Sequence, residues 1–258
     1  MLNMIEHGAP ADKPGVLIAH GLYGSARNWG VIAKRLADSR RVVAVDLRNH
    51  GHSPWFDTHG YEDMAEDLAE VVRSLGGTWD VLGHSMGGKA AMMLALSHPD
   101  LVNRLVVADI APVPYTHSQI EYVEAMQSVD LSKVERRSDA GAQLLGSVDN
   151  PDLVPFFLQS LDVKAKRWML NLDTLAREMP NILGFPEVSE AYEGRVLFLG
   201  GGESDYIAPG HRERIKALFP AAHFARIPGA GHWLHAEKPR EFEAAVRTWL
   251  DGRDQRSS

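Results

Sequence analysis

The stretch VLGHSMGGKAAMM, residues 81–93, sets one serine among three glycines where an apolar run hands over to a helical one. Gly83-His84-Ser85-Met86-Gly87 has the spacing G-x-S-x-G. At this spacing the serine takes a strained strand-to-helix turn, and the flanking glycines remove side chains that would collide with the neighbouring strand and helix. The turn holds the serine oxygen out at the carboxyl end of a sheet. The amides that open the following helix point at the same spot, where negative charge develops during attack on an acyl carbon. The pentapeptide alone also fits a glycine-rich turn with an incidental serine. The apolar run before it and the helix-forming residues 89–96 after it favour a nucleophile at Ser85.

A nucleophilic serine needs a base, because its free hydroxyl attacks poorly at neutral pH. Among the 12 histidines, His232 lies in PGAGHWLHAEKP, a glycine-rich turn between the last strand and the last helix. Such a loop can reach the carboxyl edge where Ser85 is expected. His235 is expected to pack at the start of the final helix, and His84 to point away from the nucleophile. His50 and His52, in DLRNHGHSPW, are candidates for the pocket rim. The oxyanion needs two donors. The backbone N–H of Met86 is one; the N–H of Leu22, in the HGLYGS loop after a strand, is the other. The base needs one carboxylate to fix its tautomer. Asp109, in VVADIAPVPY, and Asp205, in GGESDYIAP, both follow strands and both qualify. Asp46 reads as a structural loop anchor.

Around this centre, apolar runs at 16–19, 42–45, 80–82, 105–108, 196–199 and 224–227 read as short parallel strands covered on both faces. Met64, Leu68, Val71, Val72 and Leu75 share one helical face, as do Phe242, Ala245, Val246, Trp249 and Leu250. The alternation predicts an α/β fold with a mostly parallel sheet and helices on both faces. The 258 residues fit one domain with an insertion. Residues 112–193 offer no convincing strand and read as a small helical cap inserted between sheet strands, with helices near 119–127, 140–145, 153–161 and 164–177. Phe156, Phe157, Trp168 and Met169 are its candidate pocket-wall residues. Arg27, Arg48 and Lys89 read as solvated surface charges. The polar tail, 251–258, is expected to fray.

Apolar residues make up 45% and charged residues 24%, with a net charge of −7, which disfavours nucleic acid and anionic membranes as partners. No run of 18 apolar residues exists, so no membrane span is expected. The start, MLNMIEHGAPADKPG, lacks the pattern of a secretory leader. With no cysteine, disulfides and thiolate metal sites are excluded, and a cytoplasmic location is expected. No histidine pair shows clear metal-ligand spacing with acids nearby, and no cofactor is called for. Oligomeric state is not readable here.

HGLYGSARNW, DLRNHGHSPW, GHSMGG and GAGHWLHAEKP, in this order, resemble the motifs of the α/β-hydrolase superfamily over nearly the whole chain. HGLYGS with DLRNHGHS, DIAPVPY and HWLHAEKP is most similar to the YbfF-type esterases, small-cap hydrolases of carboxylic esters and acyl thioesters. Haloalkane dehalogenases and epoxide hydrolases resembling this fold place aspartate where Ser85 stands, so serine here implies acyl transfer. The resemblance implies a Ser-His-Asp hydrolase that takes a small acyl ester, or an acyl thioester such as acyl-CoA. It also implies the earlier acid, Asp109, assisted by Ser204, in preference to Asp205. A non-catalytic or slow-turnover small-ligand receptor on the same fold, or another acyl-transfer or carbon–carbon bond hydrolase of the superfamily, is the alternative; an ester assay separates receptor from enzyme. The N-terminal strand region is short for this fold, so the first strands of the sheet are expected to be lost or fused. An unperturbed histidine titrates near ~6.5. A histidine base therefore predicts kcat/KM rising with pH through one ionisation near ~6–7. A flat profile from about pH 5 to 9, with chemistry rate-limiting, would remove histidine from that role.

Overall fold

A computed structural model describes residues 1–117 and 119–252 of the chain. Its strands are β1 Met4–His7, β2 Val16–Ala19, β3 Val42–Val45, β4 Trp79–His84, β5 Val102–Ala108, β6 Leu161–Asp162, β7 Arg167–Trp168, β8 Arg195–Gly201 and β9 Ala222–Ile227. Its α-helices are α1 Gly30–Leu36, α2 Tyr61–Leu75, α3 Met86–Ser97, α4 Ile120–Ser128, α5 Arg137–Leu144, α6 Val154–Phe157, α7 Leu172–Arg177, α8 Met179–Leu183, α9 Arg212–Leu218, α10 Leu234–Glu237 and α11 Pro239–Asp251.

Seven strands form one sheet in the order β1-β3-β2-β4-β5-β8-β9. All neighbours are parallel except β1, which runs antiparallel to β3. Successive side chains of a strand point to opposite faces, and here both faces are buried. Leu17, Val43, Val81, Leu105 and Val107 pack in one cluster with Met64, Leu68 and Val72 of α2. Val16, Ile18, Val42, Leu82 and Val106 pack in the other with Ile32 and Leu36 of α1 and Phe242 and Val246 of α11. This two-sided burial is why the strands carry near-continuous apolar runs rather than alternation. The chain keeps an N-terminal strand: β1 is short, carries Glu6 and covers the sheet's edge.

Register positions the loops. Ala19 pairs with Gly83, His84 with Ala108, Ala108 with Leu199, and Gly201 with Ile227. The carboxyl ends of β2, β4, β5, β8 and β9 therefore lie side by side, and the loops leaving them converge.

Between β5 and β8 the chain leaves the sheet and builds α4 to α8 with a two-stranded hairpin, β6–β7. The hairpin replaces the first part of the helix expected over 164–177; only α7, capped by the Asn171 side chain, is helical there. This insert is tied to the body at buried polar points. Gly51 N–H donates to Met169 O at 2.8 Å, and Tyr61 Oη to Ile182 O at 2.5 Å. Lys89, 1% exposed, donates through Nζ to Leu183 O at 2.9 Å and Gly184 O at 2.5 Å. Burial lowers the pKa of this amine from 10.5 to about 7. Lys89 is thus an internal clasp and not a solvated charge. Arg48 is buried as well and ion-pairs with Asp67 at 2.6 Å and Asp63 at 3.1 Å. Arg27 is exposed. Asp46 anchors two loops, accepting from Ala26 N–H at 2.8 Å and His52 N–H at 2.9 Å. Of the tail expected to fray, residues 253–258 lie outside the described residues; Asp251 closes α11 and pairs with Lys13 at 2.9 Å.

Candidate active site

Ser85 joins β4 to α3 with φ 53° and ψ −122°, a conformation costly for any residue with a side chain. The glycines around it have a steric cause. A Cβ on Gly83 would stand 2.2 Å from Gly87 O, and one on Gly87 would stand 2.4 Å from both Ala19 O and His20 O. Neither contact can be relieved without moving backbone, so strand, turn and helix close up only with glycine at both positions.

His232 Nε2 lies 3.0 Å from Ser85 Oγ, and its Nδ1 lies 2.8 Å from Asp109 Oδ2. Asp109 is fully buried and also sits at positive φ, 52°. A carboxylate only accepts, so Nδ1 carries the proton and Nε2 is left to accept from the serine hydroxyl. Asp109 is itself satisfied: Gly201 N–H donates to Oδ1 at 2.9 Å and Ser204 Oγ to Oδ2 at 2.5 Å. The structure therefore brings Ser85, His232, Asp109 and Ser204 together. Asp205 is exposed and takes no part in this hydrogen-bonded line.

The N–H of Met86 opens α3, where first-turn amides have no partner within the helix. The N–H of Leu22 has no hydrogen-bond partner among the described residues. A Cβ on Gly21 would stand 3.3 Å from Ser85 Cβ, so the loop after β2 passes directly over the serine. Two buried imidazoles hold that loop. His20 Nδ1 lies 2.8 Å from Gly21 O, and His50 Nε2 accepts from Tyr23 N–H at 3.2 Å. His50 is thus a buried brace and not part of a pocket rim, while His52 is exposed.

Ser85 and His232 border a cavity of about 350 Å³. Phe156 and Phe157 form part of its wall, with Tyr122, Leu153 and Trp233. Trp168 and Met169 do not border it. The Trp168 indole is buried inside the insert, donating to Met126 O at 2.9 Å, and Met169 spends its backbone on Ser160 and Gly51. A second hollow, of about 30 Å³, also touches Ser85 and is lined by Leu22, Met86, Lys89 and Tyr115. His84 does not turn away: it borders the cavity, and its Nε2–H donates to His232 O at 2.8 Å. His235 stacks on Trp29 with ring centroids 4.2 Å apart. Burial, then neighbouring histidines, lower the pKa of His84 well below 6.5 and that of His235 to about 3. Both stay neutral beside His232 and add no positive charge against it. No group of three or more His, Asp or Glu side chains able to hold a metal ion occurs among the described residues, and no helix there is long and apolar enough to cross a membrane.

The sequence model of the alpha/beta hydrolase family matches residues 16–245. The chain is 43% identical over 252 residues to the sn-1-specific diacylglycerol lipase ABHD11 of Mus musculus, covering 93% of this chain and 82% of that protein. It is 35% identical over 238 residues to the esterase YbfF of Escherichia coli (strain K12), covering 92% of each. Among solved structures, a marine microorganism esterase superposes with a TM-score of 0.91 at 39% identity, over 96% of this chain and 98% of that one.

Proposed function

The chain belongs to the alpha/beta hydrolase family and is an ester hydrolase; from that premise we propose that Ser85, His232 and Asp109 are its catalytic triad and that short acyl esters are its substrates. The unbroken hydrogen-bonded line from Ser85 Oγ through His232 to Asp109 carries this reading. As the Ser85 Oγ–acyl carbon bond forms, the hydroxyl proton passes to His232 Nε2 and the carbonyl electron pair moves onto its oxygen. The N–H groups of Leu22 and Met86 receive that oxyanion. Asp109, held by Gly201 and Ser204, fixes the tautomer of His232 and stabilises the imidazolium. His232 then returns the proton to the leaving oxygen as the ester C–O bond breaks. Water cleaves the acyl-enzyme by the same steps in turn.

Residues 112–193 act in this reading as a cap that supplies the pocket wall. A cavity of about 350 Å³ lies at the small end of the range for ligand sites, and its aromatic wall favours a compact apolar acyl group. Each methylene that fits adds at most about 0.8 kcal/mol, roughly fourfold, until the space is full. With p-nitrophenyl esters, kcat/KM is expected to peak at about C2 to C6 and to fall for longer chains. The name of the mouse relative specifies a diacylglycerol. A steady rise to long acyl chains would accordingly mean that the insert opens into a lipase-like groove, and the short-chain assignment would be withdrawn. Acyl-CoA thioesters of the same lengths, run beside the esters, test whether a thiol serves as leaving group.

A further inference from the structure

The loop after β8 meets His232 in two places. At the edge of the ring, Ser204 shares Asp109 Oδ2 with His232 Nδ1. Over its face, the Tyr206 phenol ring lies nearly parallel to the imidazole, with centroids 4.0 Å apart and planes 20° from one another. We propose that Tyr206 is a positioning residue for ester hydrolysis: its ring keeps the His232 imidazole in line between Ser85 and Asp109 and supports the positive charge that ring acquires on taking the serine proton. The proposal rests on the triad assigned above.

Tyr206 is fixed well enough to do this. Its N–H donates to Ser204 Oγ at 3.3 Å, its carbonyl accepts from Tyr115 Oη at 2.7 Å, and its hydroxyl lies 2.7 Å from His117 Nε2. Beneath the loop, the Arg226 guanidinium donates to the carbonyls of Gly201, Ser204 and Ile207 at 2.9, 3.0 and 2.6 Å. The backbone bonds fix where the Tyr206 side chain leaves the loop, and the contact with His117 holds the phenol itself over the imidazole. An aromatic face attracts a cation lying against it, more so where water is excluded. His84, with its ring centroid 4.8 Å from that of His232, is held neutral by burial, so no competing cation adjoins the imidazole there. Tyr206 also borders the cavity, so a role confined to substrate binding must be separated from one exerted through His232.

The test compares Tyr206→Leu and Tyr206→Met, which lack the ring, with Tyr206→Phe, which keeps it but loses the hydrogen bond to His117. The ring-less variants are expected to lose about 5- to 30-fold in kcat, with KM shifting by less than about threefold. Their rate of labelling by a small fluorophosphonate, which needs Ser85 and His232 but little of the acyl pocket, should fall in parallel. Tyr206→Phe should recover most of the lost kcat. Three outcomes would each overturn the proposal: ring-less variants within about twofold of wild-type kcat, a loss confined to KM, or a Phe variant as slow as the ring-less ones. Melting temperatures identify any variant that fails to fold, in which case the other ring-less variant is read. If activity at Ser85 were absent altogether, wild type itself would not label, which separates failure of the triad assignment from failure of this one.

Discussion

Replacing Ser85 by alanine is expected to abolish covalent labelling by a fluorophosphonate and to lower kcat for ester hydrolysis by about 10⁴-fold or more. The size follows from what is removed. Without Oγ no acyl-enzyme can form, and the residual rate comes only from water attacking a carbonyl polarised by the Leu22 and Met86 amides. The fold should tolerate the change, since alanine carries the same Cβ through the strained turn at φ 53°. Removing His232 should do comparable damage by a different route, leaving the hydroxyl in place but without an acceptor 3.0 Å away. Retention of wild-type ester hydrolysis by Ser85→Ala would discard the whole mechanism.

The next largest effect separates two acids. Asp109→Asn is expected to cost at least ~10³-fold in kcat and Asp205→Asn less than ~30-fold. Asp109 Oδ2 lies 2.8 Å from His232 Nδ1 in a buried setting, where two further donors, Gly201 N–H and Ser204 Oγ, hold the carboxylate. An amide at 109 can present N–H toward Nδ1, which drives the proton to Nε2 and takes away the lone pair that Ser85 needs. Asp205 is exposed, so its loss perturbs His232 only through solvent-screened charge. The reverse order of effects would transfer the triad to Asp205 and leave the bond from Ser204 to Asp109 without a function.

What could be read early was whatever short-range physics fixes. The six apolar runs all fall inside strands of the sheet; two-sided burial writes itself into the composition of the inner ones, whereas 224–227 lies in the half-exposed edge strand β9. The close approaches at Gly83 and Gly87 leave glycine as the only side-chain choice, so the turn at Ser85 is visible as a local pattern. β1 escaped because an edge strand with one partner can be short and only partly buried, and Met4 and Ile5 alone are too brief an apolar run to mark a strand. The β6–β7 hairpin escaped because its turn carries no glycine or asparagine; Lys166 takes φ 53° instead. Asn171 was the missed signal there, since its side chain accepts from Thr174 N–H and starts α7 late. Lys89 and Arg48 misled because a charged side chain is usually solvated, whereas these two meet carbonyls or carboxylates inside the protein.

By itself the sequence determined the class of fold, the serine turn, the histidine loop and a short set of candidate acids and amides, because each depends on residues close along the chain. Only the tertiary structure decided how these meet. Asp109 reaches His232 because Ala108 registers against Leu199, which sets Gly201 and Ser204 beside its carboxylate. Phe156 faces the cavity while Trp168 is turned inward by its bond to Met126 O. Tyr206 lies over an imidazole that follows it in the chain only after α9 and β9. Such contacts join distant segments through strand register and side-chain packing, and no local pattern of residue types encodes which of several equivalent side chains will face the site.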